Sequence, residues 1–210
     1  MCKLTGVQMQ ELEIVKEIKG KQIQPSGIDL RVEKVYEFIY QKPSDEAIKI
    51  LHATFRNDQI VKLILDYEIS LVLLNEDDYG LDKISLLELR EVKPIEIDGK
   101  EFWILCSEYL RPKTYLLRLQ EVEIPKNIQC LAFQRSTIFR HNAFIIHTIF
   151  DPEYYGYPVG LLIIMPIINS EKVGRNCILI QKGARISQLT CDILCKEVEF
   201  GYSGTYKGEK

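Results

Sequence analysis

The sequence predicts a mainly β protein, a sandwich or barrel-like fold with a short N-terminal helix. From Tyr109 onward, short apolar stretches recur between turn residues at the spacing of an all-β domain. The longest apolar run, 159–168, is interrupted by Gly160 and Pro166, which suits a buried strand and is too short for a bilayer span. Helical periodicity shows only near the start of the chain.

In order, Met9, Leu12, Ile14, Val15 and Ile18 fall near helical spacing with charges between them. This predicts an amphipathic helix over 8–19, with Gly20 as its stop. Leu30, Val32, Val35 and Phe38 then alternate in part, as in a strand with a following edge. Residues 42–100 read poorly; alternation shows at 60–65 and 70–74, and 75–80 is a polar, turn-rich break. Ile97-Asp98-Gly99-Lys100 predicts a hairpin turn before a strand over 101–106. Further strands are expected over 115–119, 128–133, 143–150, 159–164, 177–180 and 186–194. The tail, 201–210, has three glycines and no hydrophobic period, so it is read as a flexible arm. No repeat or interdomain linker appears, and 1–210 is read as a single domain with an elaboration around 42–100.

Hydrophobic residues make up 46% of the chain and charged residues 27%, ordinary for a globular protein. The net charge of −3 argues against a nucleic-acid partner, which calls for a basic excess. The first residues lack the apolar core of a signal peptide, and no segment suits a membrane, so a cytoplasmic location is expected. Cysteines stand at 2, 106, 130, 177, 191 and 195, with no Cys-x-x-Cys pair. Cys191 and Cys195 with His141 and His147 match no common zinc spacing, and reduced, mostly buried thiols are expected.

Four polar clusters suit a triphosphate. Arg135-Ser136-Thr137 with Arg140 reads two ways: a helical turn beginning at Ser136 that offers N–H groups, hydroxyls and a forked charge to an anion, or an ordinary cap between solvated arginines. Asp151-Pro152-Glu153-Tyr154-Tyr155-Gly156 is a turn between apolar runs. Its carboxylate could activate a water, or serve the turn alone. Tyr154 or Tyr155 offers a flat face to a sugar or base, or simply packs. Asp29, after Pro25-Ser26-Gly27-Ile28, is a turn carboxylate or a holder of Mg²⁺-bound water. Gln188, within a β pattern, needs partners, from phosphate or from backbone. The zinc-deaminase pattern, the P-loop, the GxSxG elbow and the dinucleotide fingerprint are all missing.

Together these segments resemble the dUTPase and dCTP deaminase superfamily. Gln24-Pro25-Ser26-Gly27-Ile28-Asp29-Leu30-Arg31 looks like its first motif. Leu110-Arg111-Pro112 with 116–125 is similar to its approach strand, although Lys113 replaces the usual glycine. Arg135-Ser136-Thr137 with Arg140, Asp151 to Gly156, and Gly183 to Leu189 resemble three further motifs, and 202–209 resembles the closing arm of the deaminase branch. The resemblance implies a distorted β-barrel of jelly-roll character (β-clip), a homotrimer with sites between subunits, and a Mg²⁺-bound deoxyribonucleoside triphosphate. It further implies that Arg135, Ser136, Thr137, Arg140 and Gln188 hold phosphates, that Tyr154 or Tyr155 packs on the sugar, and that Tyr206 and Lys207 close over the ligand. The deaminase branch works without zinc and carries a Glu that would fall at Leu161, where no acid stands. The dUTPase branch uses a hairpin Asp, matched by Asp151. Hydrolysis of dUTP to dUMP and diphosphate is therefore the leading expectation. A zinc-independent dCTP deaminase, monofunctional or bifunctional, and an inactive nucleotide-binding homologue are the alternatives.

Overall fold

The computed structural model describes residues 2–40, 87–168 and 173–195, with isolated positions between 45 and 62. The chain divides into two compact units, one of residues 1–36 and 91–210, the other of residues 37–90. The second unit overlaps the stretch that read poorly. Within it, Arg90 donates to Glu37 through Nε and Nη2, at 3.0 and 2.7 Å.

The first part of the chain forms β1 (Cys2–Lys3), α1 (Gly6–Glu11), β2 (Ile23–Gln24), the long β3 (Gly27–Tyr40) and β4 (Leu87–Glu91). Next come β5 (Ile95–Ile97), β6 (Lys100–Cys106), β7 (Lys113–Leu119), β8 (Val122–Glu123) and β9 (Ile128–Gln134), followed by α2 (Ser136–Arg140). The remaining strands are β10 (Ala143–His147), β11 (Ile149–Phe150), β12 (Tyr155–Gly156), β13 (Val159–Ile164), β14 (Ile167–Ile168), β15 (Val173–Gly174), β16 (Cys177–Gln181) and β17 (Arg185–Ile193).

The main sheet runs β10-β13-β7-β3-β17-β9-β11. Its ladders β10–β13, β13–β7, β3–β17, β17–β9 and β9–β11 are antiparallel. The sheet curls so that the Ile145 N–H on β10 donates to Gln134 Oε1 on β9, at 2.7 Å, which nearly closes a barrel. Period-two alternation explains the inside of this barrel. Tyr115, Leu117 and Leu119, Ile128, Cys130 and Ala132, and Leu162 and Ile164 are buried. The hairpin turn at Asp98-Gly99 forms as expected, with φ of 50° and 72°, the left-handed pair that a type I′ turn requires.

The expected helix over 8–19 is shorter, ending at Glu11. Thr5 caps it, its side chain accepting from Gln8 N while Gln8 reaches back to Thr5 N. Glu13 and Glu17 then take φ of 51° and 49°, which no helix sustains. The segment instead lies along β8. Glu123 N donates to Ile14 O, Lys16 N donates to Glu121 O, and Val15 bridges Val122. Ile14 and Val15 are apolar because they are buried there, and their spacing imitates a helix.

The expectation of reduced thiols is also corrected. Cys106 and Cys177 form one disulfide, Cys130 and Cys191 another. Each pair sits directly opposite across an antiparallel ladder, with Cα atoms 4.0 and 4.1 Å apart. Among the described residues Cys2 and Cys195 stay free and exposed.

Candidate functional site

Two groups of polar residues sit at opposite ends of β9. At its C-terminal end the chain turns into α2, so Arg135 leaves the ladder while its N–H still donates to Ile186 O, at 3.0 Å. Its guanidinium Nη1 donates to Asp29 Oδ2 at 2.7 Å. Arg185 Nη1 reaches the same oxygen at 3.2 Å and also donates to Lys21 O. Gln24 Nε2 adds a third bond, at 3.3 Å. Asp29 comes here because β3 pairs with β17 in the register Gln188↔Asp29, and a bulge between Arg185 and Ser187 shifts the register of β17. The Asp29 side chain is only 3% exposed, whereas Arg135 and Arg185 are about one-third exposed. Burial pushes the Asp29 carboxyl above its ordinary value, and the charges of Arg135 and Arg185 pull it back in part.

Arg135, Arg185, Thr137, Ile138, His141 and Ile186 line a cleft of about 390 Å³. Ser136 and Thr137 lie exposed in the first turn of α2, which begins at Ser136 as the first of the two sequence readings required. Arg140 is exposed in its last turn. Gln188 is half-buried on β17, paired with Phe133 on one side and Asp29 on the other.

At the other end, Asp151 follows β11 and is exposed. Two backbone bonds fix its turn: Glu153 N donates to Ile124 O at 3.0 Å, and Ile124 N donates to Tyr154 O at 2.8 Å. Tyr154 is buried, its ring 5.5 Å from that of Phe150, and it packs in the core. Tyr155 is 46% exposed on β12, so of the two it is the one open to a sugar. Leu161 sits half-buried on β13 between Ile146 and Leu116, with no carboxylate at that position. Tyr206 and Lys207 lie outside the described residues.

The separation of the two groups follows from register. Phe150 pairs with Cys130, so the register carries Asp151 to the level of Gln129, six residues from Arg135, and Asp151 and Arg135 of one chain stand roughly 20 Å apart at about 3.4 Å per residue. The structure thus unites Arg135, Asp29 and Gln188 and keeps Asp151 and Tyr155 away from them. It adds Arg185, which stands within the Gly183 to Leu189 motif and to which the sequence assigns no role.

The donor set does not fit a protein-built Mg²⁺ site. Among the described residues no group of three His, Cys, Asp or Glu side chains converges. The Asp29 carboxyl is buried and shared by two guanidinium groups, which would repel a cation placed beside it.

Similarity to known proteins agrees with the fold. The model of the dCTP deaminase-like family matches residues 7–193, and the chain belongs to that family. Over 91% of its length it is 26% identical to the deoxyuridine 5'-triphosphate nucleotidohydrolase of Methanocaldococcus jannaschii, covering 90% of that protein. It is 32% identical over 57% of its length to the probable deoxyuridine 5'-triphosphate nucleotidohydrolase of Methanosarcina mazei, covering 63% of that relative. The solved 2'-deoxycytidine 5'-triphosphate deaminase of Agrobacterium tumefaciens superposes with a TM-score of 0.54 over 91% of this chain and 48% of that one. At 15% identity, that likeness is one of fold.

Proposed function

We propose that the chain is a dUTP diphosphatase that hydrolyses dUTP to dUMP and diphosphate. Asp151 acts as general base: it takes a proton from water as the water oxygen bonds to the α-phosphorus and the bond to the bridging oxygen breaks, releasing diphosphate. Arg135, Ser136, Thr137 and Gln188 hold phosphate oxygens, with Arg140 in support, and Tyr155 packs on the deoxyribose. Mg²⁺ comes in on the phosphate oxygens of the nucleotide, not on a protein cage.

The observation that carries this reading is the distance along β9. A base and an arginine fork roughly 20 Å apart in one chain cannot serve a single triphosphate, but one chain's fork and a neighbour's Asp151 can. This favours a homotrimer with its sites between subunits. The names of the relatives support dUTP as substrate. The family also includes deaminases by name, so a dCTP deaminase is the second reading. Leu161 and its apolar neighbours, which offer no proton shuttle, count against it. An inactive nucleotide-binding homologue is the third.

The test is diphosphate release from dUTP with Mg²⁺. Asp151→Asn should lower kcat by about 10²-fold or more, the usual weight of a general base. Mixing inactive Asp151→Asn with inactive Arg135→Gln subunits should restore part of the activity, because some mixed sites carry both native residues. Retention of activity in Asp151→Asn would remove the base assignment. Conversion of dCTP to dUTP or dUMP would overturn the argument from Leu161. Binding without turnover would favour the inactive homologue.

A further inference from the structure

Asp29 has the placement of a residue that acts through other residues. Its carboxylate is nearly closed to solvent, and it does not line the 390 Å³ cleft, whereas Arg135 and Arg185 do. The carboxylate therefore stands behind two guanidinium groups that face the cleft. Among the described residues Arg135 makes one side-chain hydrogen bond, through Nη1, so its Nε and Nη2 donors remain for a ligand. Arg185 is tied by Nη1 to both Asp29 and Lys21 O, which fixes its plane. Two guanidinium groups held this close repel each other, and the single negative charge between them is what lets both stay. The backbone behind Asp29 is equally fixed. Its N–H donates to Gln22 O at 2.8 Å, and its carbonyl accepts from the buried Gln22 Nε2 at 2.7 Å.

We propose that Asp29 is a positioning residue that clamps Arg135 and Arg185 into one preorganised anion fork, and that it does not anchor a metal. The inference rests on the cleft being a phosphate site, as in the proposed function, and specifies how that site is built. Its consequence is that triphosphate binding through the fork persists without a divalent cation. Releasing the clamp costs affinity because the one-third exposed arginines then separate into solvent and must be reordered by each ligand.

The test is calorimetric binding of dUTP and of inorganic tripolyphosphate, in EDTA and in Mg²⁺, beside the Mg²⁺ dependence of turnover. Wild type should bind both ligands in EDTA. Asp29→Asn should weaken that metal-free binding about tenfold, in line with the loss of a residue that orients ligand-binding groups. It should raise KM with kcat changed less than about threefold, and leave the Mg²⁺ concentration for half-maximal turnover unchanged. A metal anchor gives the opposite pattern, with metal-free binding unchanged and the Mg²⁺ requirement raised at least about tenfold. That result, or tighter metal-free binding, overturns the proposal. If Asp29→Asn does not fold, Arg185→Gln serves: it should also weaken metal-free tripolyphosphate binding, and unchanged binding overturns the fork. Wild type that binds dUTP only with Mg²⁺ overturns the clamp and leaves the hydrolase reading standing. Wild type that binds dUTP under neither condition sinks the hydrolase reading and the clamp with it.

Discussion

Gly27→Ala should destabilise the first unit severely, although it adds one methyl group. Gly27 opens β3 and pairs with Gln24 of β2. A Cβ built there would stand 2.2 Å from the Leu189 carbonyl oxygen on β17 and 3.2 Å from its carbon. Ordinary contact begins near 3.5 Å, so about 1.3 Å of separation must be found. The obstacle is backbone in a central strand, locked by the registers Leu189↔Ile28 and Gln188↔Asp29, and no side chain can swing aside. Opening a ladder by that amount takes an N–H···O bond of about 2.9 Å beyond 4 Å, where it no longer counts as one.

Two ladder bonds at about 1 kcal/mol each, plus about 1–3 kcal/mol for overpacking, put the cost near 3–5 kcal/mol. Against a usual total of about 5–15 kcal/mol, that is a large fraction. With an m-value of about 2 kcal/mol/M, the urea midpoint should fall by roughly 1.5–2.5 M. The single tryptophan, Trp103, reports on this unit directly, because it is buried on β6 with Nε1 donating to Val92 O at 2.9 Å. Gly20→Ala is the control. Its φ is +59° and its Cβ meets nothing within 4 Å, so only about 1–2 kcal/mol of backbone strain is expected. If Gly27→Ala unfolds within about 0.3 M of wild type, less than 1 kcal/mol by the same m-value, the close approach of β3 and β17 is wrong.

Two further outcomes are expected. Burial pushes the His147 imidazole below its ordinary value, opposed in part by the neighbouring Val159 backbone, while Nε2 shares a 2.8 Å hydrogen bond with Ser187 Oγ. The folded state therefore binds this proton less readily than the unfolded state. The stability from neutral His147 is present above the unfolded value near 6.5 and is lost as pH falls below it, at no more than about 1.4 kcal/mol per pH unit. The urea midpoint should drop between pH 7.5 and 5, and His147→Gln should flatten that drop; an identical pH profile would refute the assignment. The Cys130–Cys191 disulfide spans 61 residues of sequence. In the chain-entropy picture that is worth up to about 4 kcal/mol. The double variant Cys130→Ser, Cys191→Ser should lower the urea midpoint, and the wild type under dithiothreitol, which opens the Cys106–Cys177 bond as well, should fall at least as far; a wild type indifferent to reductant would refute the bond.

The strands were readable because period-two burial and turn residues are local properties. The run at 159–164 was expected with the bounds it has and that at 128–133 gains one residue, but the strand expected over 115–119 begins two residues earlier and the one expected over 143–150 divides into β10, paired with β13, and β11, paired with β9. What depends on register was not readable. Cys130 and Cys191 meet because β9 and β17 align them, and Arg185 reaches Asp29 past a bulge that alternation alone cannot place. Tyr154 and Tyr155 were equivalent in sequence. The backbone bonds to Ile124 and the ring of Phe150 decide that the first goes inward. The helix was overdrawn for a related reason: Ile14 and Val15 are buried by β8, and a contact with a distant strand left the same spacing as a helical face.

The division of the site along β9 also determines which substitutions can be interpreted separately. Asp151 sits on an exposed turn whose backbone is held by Ile124, so changing its side chain leaves the barrel's ladders intact. Arg135 differs, because it is joined to the buried carboxylate of β3 and through that to β17. A loss of activity at Arg135 would therefore mix the proposed ligand binding with the integrity of the barrel, whereas a loss at Asp151 would bear on its proposed role without disturbing the ladders. The same strand that separates the two groups makes their spacing rigid, since residues within a ladder cannot slide without flipping every side chain to the other face. Within one chain no hinge among the described strands can bring the base to the fork. The proposed reaction thus depends on how chains assemble: it requires the fork of one chain, with its exposed donors beside a cleft, to meet the Asp151 of another.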